Sequence, residues 1–462
     1  MRILLIYPNI TDYPVDISYG LASISAKLKS DGHEIDLIDS TFGITQKAIR
    51  HKLLSFNPQL IGIPVASNDF EYCVKISTYV KFITPVPIIC GGYHTTLDPD
   101  DVLKEPCFDI AVIGEGEYTF SEIAGRFSED GEAADLSEIT GIRYKKSGEI
   151  VANPLRCLNT QPDNLPFPDK DLFDYKRYVI LNRGLGTFIT SFGCPFKCTY
   201  CINKALIQKF GNENFVRFKS VEYLLEEIQQ VVHRYKLREV EFYDDTFTLN
   251  RERLKNFCED YPKKIGLPFY INSRVDTIHP EQYPMLKQAG CKRISFGIEC
   301  GDDFIRNEVL KRNQSDEQII KAFQLARSQG IQTLSYNMVG IPLETKESIQ
   351  KTIELNRKCL PDFVAVSIFN AYKGTEVYEF CKEKGWLQNI RGRSYFQTSN
   401  LKHPNFSLRE LKTIRDDFGY HVFKRRNLKR AFIDRIDKRL LKVRPYQQIR
   451  SFLIRKGFKK YL

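Results

Sequence analysis

The sequence predicts an α/β chain made of two successive strand–helix units and a helical, basic end. Three observations carry this. Short apolar runs alternate with helix-spaced segments over residues 1–145, as in a doubly wound, Rossmann-like open sheet. A second alternation with six strand-like runs follows over residues 186–380, enough for a partial (β/α)6, TIM-like barrel. The charge is uneven: residues 419–462 hold 15 Lys/Arg against only Asp434 and Asp437, an excess of 13 positive charges in a chain whose net charge is +11. The body is therefore near neutral and the basicity belongs to the end.

Each element has a local reason. RILLIYP is apolar and closed by Pro8, so it reads as the first strand. YGLASISAKLKSDGH places Leu21, Ile24 and Leu28 at helical spacing and stops at Gly32. EIDLIDS, LIGIPVAS, VPIICGG and IAVIGEGE follow as buried strands, each ending in a loop bearing Gly, Ser or Asn. In an open parallel sheet, such carboxyl-end loops form the ligand crevice. The segment 146–185, with NLPFPDKDLF, lacks periodicity and reads as a connector. GTFITSF, VEFYDDT, FYINSRV, RISFGIE, LSYNMVG and FVAVSIFN then form the second set of strands, separated by helices such as VEYLLEEIQQVVHRY. Residues 381–462 turn helical and basic.

The composition, 42% hydrophobic and 27% charged, is that of a globular protein. No apolar run approaches the roughly 20 residues of a membrane span. MRILLIYP is too quickly broken for a signal peptide. Nine of the 12 cysteines are scattered, many in apolar runs. They read as buried thiols in a reducing cytoplasm.

The other three, Cys194, Cys198 and Cys201, stand in SFGCPFKCTYC with C-x3-C-x2-C spacing. Three thiolates so close can hold three irons of a [4Fe–4S] cube and leave the fourth iron open to a small molecule. Zinc patterns need two separated ligand pairs, and no second C-x2-C occurs. The triad follows the strand-like run Gly186–Phe192, with Tyr200 just before the last cysteine. This placement resembles the radical S-adenosylmethionine (radical SAM) enzymes. IICGGYHTTLDPDDVL followed by DIAVIGEGEYTFSEI, and the connector GIRYKKSGEIVANPLR, resemble the cobalamin-binding domain that precedes many radical SAM domains. The likeness covers most of the first 380 residues or so.

The resemblance implies a [4Fe–4S] cluster on the three cysteines, S-adenosyl-L-methionine as co-substrate, and cobalamin on loops around Ser67–Asn68, Gly91–Gly92–Tyr93–His94 and Gly114–Glu115–Gly116–Glu117. It implies that S-adenosylmethionine meets Tyr200, one of Asp244 and Asp245, Arg274, Ser295, Glu299 and Asn337, with Gly340-Ile341-Pro342 shaping the adenine pocket. The D-x-H-x-x-G motif that places a histidine under cobalt in the best-known cobalamin domains is absent, since the loop after the first strand reads PNITDYP. His94 then reads as turn-stabilising or as touching the cobalamin tail, rather than as a cobalt ligand. Helix capping is the competing reading for the aspartate pair, and an Arg274–Glu299 ion pair for those two residues. Lys373 stands where relatives often have proline.

Three functions fit these expectations. The first is cobalamin-dependent methylation of an unactivated carbon or phosphorus centre in a small molecule or lipid, with an external flavodoxin- or ferredoxin-like electron donor. The second is an oxidative cyclisation or rearrangement without methyl transfer. The third is a non-catalytic cobalamin or iron sensor. In the tail, Leu428, Phe432, Ile436 and Leu440 fall at spacings of four between basic residues, with Leu441 beside them. Packing of this stripe on the barrel ranks first, contact with an anionic membrane surface second, and nucleic acid last.

Overall fold

The computed structural model describes residues 1–9, 16–131, 134–388 and 398–440. Most of PNITDYP, the tail beyond residue 440 and Leu441 lie outside the described residues.

The first unit is a seven-stranded sheet of β1 (Arg2–Tyr7), β2 (Glu34–Asp39), β3 (Leu60–Pro64), β4 (Ile88–Gly91), β5 (Ile110–Val112), β6 (Ile142–Lys146) and β7 (Glu149–Ala152), in the order 2-1-3-4-5-6-7. The first five strands run parallel, with β1 between β2 and β3. The strand order reverses at β1, so the carboxyl ends of β1 and β3 flank the crevice of a doubly wound sheet. Both faces are covered, which is why these strands read as unbroken apolar runs: Ile3 and Leu5 join one core, Leu4 and Ile6 the other. The helix Tyr19–Ser30 begins where the Ser18 hydroxyl accepts from the Leu21 amide.

The connector is more ordered than its lack of periodicity implies. Antiparallel β6 and β7 extend the first sheet. Their turn places Ser147 at φ 52° and Gly148 at φ 88°, the left-handed pair of a two-residue hairpin. Asp169 then ties the connector to the first unit, its amide donating to Ala22 O (2.9 Å) and its carboxylate accepting from the Ser25 hydroxyl (2.6 Å).

The second unit is a curled, wholly parallel six-stranded sheet of β8 (Leu185–Phe188), β11 (Glu239–Phe242), β12 (Phe269–Ser273), β13 (Cys291–Glu299), β14 (Gln332–Val339) and β15 (Phe363–Ile368), in that spatial order. It is an incomplete barrel with helices outside. A small antiparallel pair, β9 (Ser191–Phe192) with β10 (Arg217–Phe218), branches off after β8. Alternation along each strand sends one set of side chains inward and the next outward. Val366 and Ile368 of β15 pack outward on Leu411 and Phe418 of the helix Leu408–Phe423. Among the described residues, no helix is long and apolar enough to cross a membrane.

The two units meet through ion pairs. Arg217 of β10 binds Glu115, and Lys373 binds both Asp98 and Asp101 of the first unit. A proline at 373 would lack that contact.

Candidate functional site

The cysteine loop leaves β9 and ends in the helix Ile202–Phe210. Cys194 and Cys198 are buried, and Cys201 occupies the N-cap position of that helix. The loop is fastened to a distant segment: the Thr199 amide donates to Leu310 O (3.1 Å) and its hydroxyl to Val309 O (2.6 Å). That segment is anchored by Arg306, which is fully buried and donates to Gln314 O (2.8 Å) and Cys300 O (3.1 Å).

Donors surround the thiols. Arg274 Nη1 lies 3.5 Å from Cys198 Sγ, Asn203 Nδ2 lies 3.6 Å from Cys201 Sγ, and the Thr246 hydroxyl lies 3.9 Å from Cys194 Sγ. Burial raises the bare Cys194 thiol and pushes that of Cys201 up to about 12. Bound irons reverse this, since a coordinating thiol is deprotonated outright. Among the described residues, no group of three His, Cys, Asp or Glu side chains converges on one ion. A cube asks for no such convergence, because each thiolate takes its own iron. Three thiols from one loop, with N–H donors and a guanidinium against sulfur, fit that donor set.

Asp244 and Asp245 separate cleanly. Asp244 is buried and spends its carboxylate on the Thr190 amide (3.2 Å), the Thr190 hydroxyl (2.7 Å) and the Ser191 hydroxyl. Asp245 faces the opposite way, into a cavity, and accepts from Asn203 Nδ2 at 2.9 Å. The surrounding protein raises its carboxyl, and the Asn203 bond pulls the other way. Neither aspartate caps a helix: the next one, Arg251–Lys264, is capped by Asn250.

Arg274 does not pair with Glu299. Its guanidinium grips Asp276 (Nε 3.0 Å, Nη2 2.8 Å), donates to Arg312 O (2.9 Å) and stacks on Phe196 at 3.6 Å. Glu299 ends β13 at a register shift with φ 62°, so its face no longer follows from that of Ser295. Its cation is Arg312, 3.6 Å away. Arg312 also donates to the Tyr200 hydroxyl (2.6 Å) and to Gly297 O (2.7 Å). Burial raises the Glu299 carboxyl, while Arg312 and Tyr200 lower it.

Ser295 is buried in mid-strand, in register with Asn272 and Leu334. Asn337 faces outward, toward the helix Lys346–Cys359. Its amide is spent on Asn356 (2.7 Å), Ser335 and Ala365. Gly340 and Ile341 are held by Glu344, whose carboxyl accepts from both amides and is pushed up to about 8 by burial.

The carboxyl ends of β1, β3, β4 and β5 open on a cavity of about 540 Å³. Gly91, Gly92, Tyr93, Gly114, Glu115, Gly116 and Glu117 line it on one side, and Asn203, Leu206, Phe210, Tyr243 and Asp245 on the other. Gly92 has φ 93°, and a Cβ there would come within 3.0 Å of Val65 O. At Gly91 the nearest atom to such a Cβ is 3.8 Å away, so its missing side chain leaves room toward the cavity. Glycine edges with apolar walls fit an extended ring such as a corrin.

Ser67, Asn68 and His94 lie outside this lining. The Ser67 hydroxyl is 2.9 Å from His94 Nδ1, His94 Nε2 is 3.7 Å from Asp101, and the ring lies against Phe70. His94 thus braces the turn. Asn68 reaches Tyr372 at 3.4 Å. No histidine among the described residues lines the cavity. Glu115 is held from the other side by Arg217 and by the Asn159 amide (2.7 Å). A separate groove of about 870 Å³ on the outer helices, beside Lys346, Lys351 and Glu354, holds none of these residues.

Arg312, Asp276, Asn203, Thr246 and Arg217 escaped sequence reasoning. Arg312, Asp276 and Thr246 sit in loops, Asn203 in the first turn of the helix Ile202–Phe210 and Arg217 in β10, none at a spacing that marks it; the one faint signal is Arg312, just ahead of the Ser315–Gln318 capping box.

Residues 15–124 match the B12 binding domain model and residues 188–355 the radical SAM superfamily model. The chain therefore carries a B12-binding domain followed by a radical SAM domain, and a [4Fe–4S] cluster, S-adenosylmethionine and cobalamin are the cofactors of that pair. An uncharacterized methyltransferase of Pyrococcus horikoshii, PH0819, is 29% identical over 87% of this chain and 90% of its own length. An anaerobic magnesium-protoporphyrin IX monomethyl ester cyclase of Rubrivivax gelatinosus is 25% identical over 83% of this chain and 70% of its own. In fold, the chain is similar to the radical S-adenosylmethionine methyltransferase TsrM from Kitasatospora setae, solved with cobalamin and a [4Fe–4S] cluster bound. That match has a TM-score of 0.70 at 18% identity and covers 85% of this chain and 76% of TsrM.

Proposed function

We propose that the protein is a methyltransferase that alkylates an unactivated carbon or phosphorus centre, using S-adenosylmethionine both as methyl source and as radical source. One observation carries the reading: a cavity borders the glycine edges of the first sheet on one side and Asn203 and Asp245, beside the cysteine loop, on the other. When bound, the cluster supplies the electron that cleaves S-adenosylmethionine, and the cobalamin supplies a carrier for the methyl group.

The chain's own residues hold and orient. Cys194, Cys198 and Cys201 ligate the cluster, and Arg274 and Asn203 shield thiolate charge. Asp245 meets the methionine amine, while the Arg312–Glu299–Tyr200 group meets the polar end of the nucleoside. Asp244 positions the β8–β9 turn. Gly91 and Gly92 would let a corrin lie against backbone, with Tyr93 beside them on the same lining. No histidine among the described residues lines the cavity, so Gly91, Gly92 and the apolar walls rather than an imidazole would hold the corrin. The functional boundaries fall near 1–145, 146–185, 186–380 and 381–462. The substrate is a small molecule or lipid, the electron donor a flavodoxin- or ferredoxin-like protein, and the site of action the cytoplasm, extending to the inner membrane face.

The test is anaerobic turnover of cluster- and cobalamin-loaded protein, followed by mass spectrometry. Both 5′-deoxyadenosine and S-adenosylhomocysteine are expected, and Cys198→Ala abolishes both. Their persistence in that variant would refute the reading. The cyclase relative favours a second reading, an oxidative cyclisation, and deoxyadenosine without S-adenosylhomocysteine would establish it.

A further inference from the structure

The last described helix is mounted with its apolar side out. Leu428–Leu440 packs on the helix Leu408–Phe423 through Ala431, which is fully buried, and through polar groups. Arg435 grips Asp417 with Nε at 2.8 Å and Nη2 at 2.7 Å, and Asp434 seats against Gly419. Leu428, Phe432, Ile436 and Leu440 are instead 55%, 45%, 53% and 38% exposed. Burial of apolar area would turn such a helix the other way round unless the exposed row has an apolar partner of its own.

The charge around that row names the partner. Arg425, Arg426 and Lys429 are exposed next to it. The following 22 residues, 441–462, add seven Lys/Arg and no Asp or Glu. A second copy would bring two such excesses of positive charge together. Nucleic acid would engage the cations and leave the apolar row wet. An anionic bilayer takes both, the apolar side chains at the acyl boundary and the cations among the headgroup phosphates.

We propose that this face seats the protein on an anionic lipid surface. The inference is independent of the radical chemistry, since it rests on the orientation of a helix outside the barrel. The full-length protein is sedimented with vesicles of phosphatidylcholine alone and of phosphatidylcholine with phosphatidylglycerol, at low and high salt. Binding at least tenfold tighter to the anionic vesicles is expected, weakening with salt. It should be lost in the Leu428→Ser, Phe432→Ser, Ile436→Ser, Leu440→Ser variant. Phe432→Trp, which keeps the fold's aromatic contact with Tyr420, should show blue-shifted emission on anionic vesicles only.

Absence of vesicle binding, or binding unchanged in the serine variant, overturns the proposal. So does light scattering that shows a dimer dissolved by those serines in place of vesicle binding. Should the serine variant fail to fold, an unshifted Phe432→Trp emission on anionic vesicles is the contradicting result.

Discussion

Arg312 donates from Nη1 to the Tyr200 hydroxyl at 2.6 Å while the same nitrogen stands 3.6 Å from Glu299 Oε1. One buried guanidinium thereby joins the cysteine loop to the end of β13. Removing one partner of such a buried group leaves the others unpaired, a cost of about 3–5 kcal/mol. Arg312→Met should therefore lower the thermal midpoint clearly and weaken S-adenosylmethionine binding. Calorimetry under anaerobic conditions reads both. A variant with wild-type stability and affinity would show that Arg312 joins nothing.

The two adjacent aspartates should separate by readout. Asp245→Asn leaves the fold intact and weakens S-adenosylmethionine binding by roughly ten- to a hundredfold, the range for a charged hydrogen bond of about 1.5–3 kcal/mol. Asp244→Asn instead disturbs the Thr190 and Ser191 bonds and lowers stability first. Thermal melts beside equilibrium binding distinguish them, and the reverse pattern would exchange their roles.

Glu344 predicts a pH dependence of stability. Its folded carboxyl is pushed from 4.5 to about 8 by burial, against the Gly340 and Ile341 amides, and its second oxygen has no hydrogen-bond partner. A raised folded value means the native state holds the proton more tightly. The contribution is complete below the unfolded value and is lost as pH rises through about 8, with a slope of up to about 1.4 kcal/mol per pH unit. Urea melts from pH 5 to 9 should show this decline, and Glu344→Gln should flatten it. Stability that rises over this range through Glu344 would reverse the assignment.

Two neighbouring glycines make a paired prediction. Gly92→Ala meets Val65 O at 3.0 Å in a left-handed backbone and should destabilise by about 1–2 kcal/mol. Gly91→Ala has space within the protein and should fold normally, yet its methyl enters the cavity and should reduce retention of added cobalamin. Absorbance of cobalamin after gel filtration measures this. Full retention by Gly91→Ala would separate that cavity from the corrin.

The strands, the cysteine loop and the glycine turns could be read from sequence because each depends on local pattern: apolar runs buried on both faces, a fixed ligand spacing, a Gly-Gly turn. The partners of the charged residues could not. Arg274 pairs with Asp276, two residues away, rather than with Glu299, because a register shift at Gly297–Glu299 rotates the strand end. Asn337 turned outward by the same two-residue alternation that would have placed it inside one position away. The terminal helix misled most, since spacing revealed its apolar stripe but not which side of the helix meets the protein.

On the proposed reading, three thiolates leave one metal corner for S-adenosylmethionine. Electron paramagnetic resonance of anaerobically reconstituted, reduced protein tests it directly. A [4Fe–4S] signal whose g-values shift on adding S-adenosylmethionine, and which Cys198→Ala abolishes, is the predicted result. An absent iron–sulfur signal, or one indifferent to that addition, would contradict it.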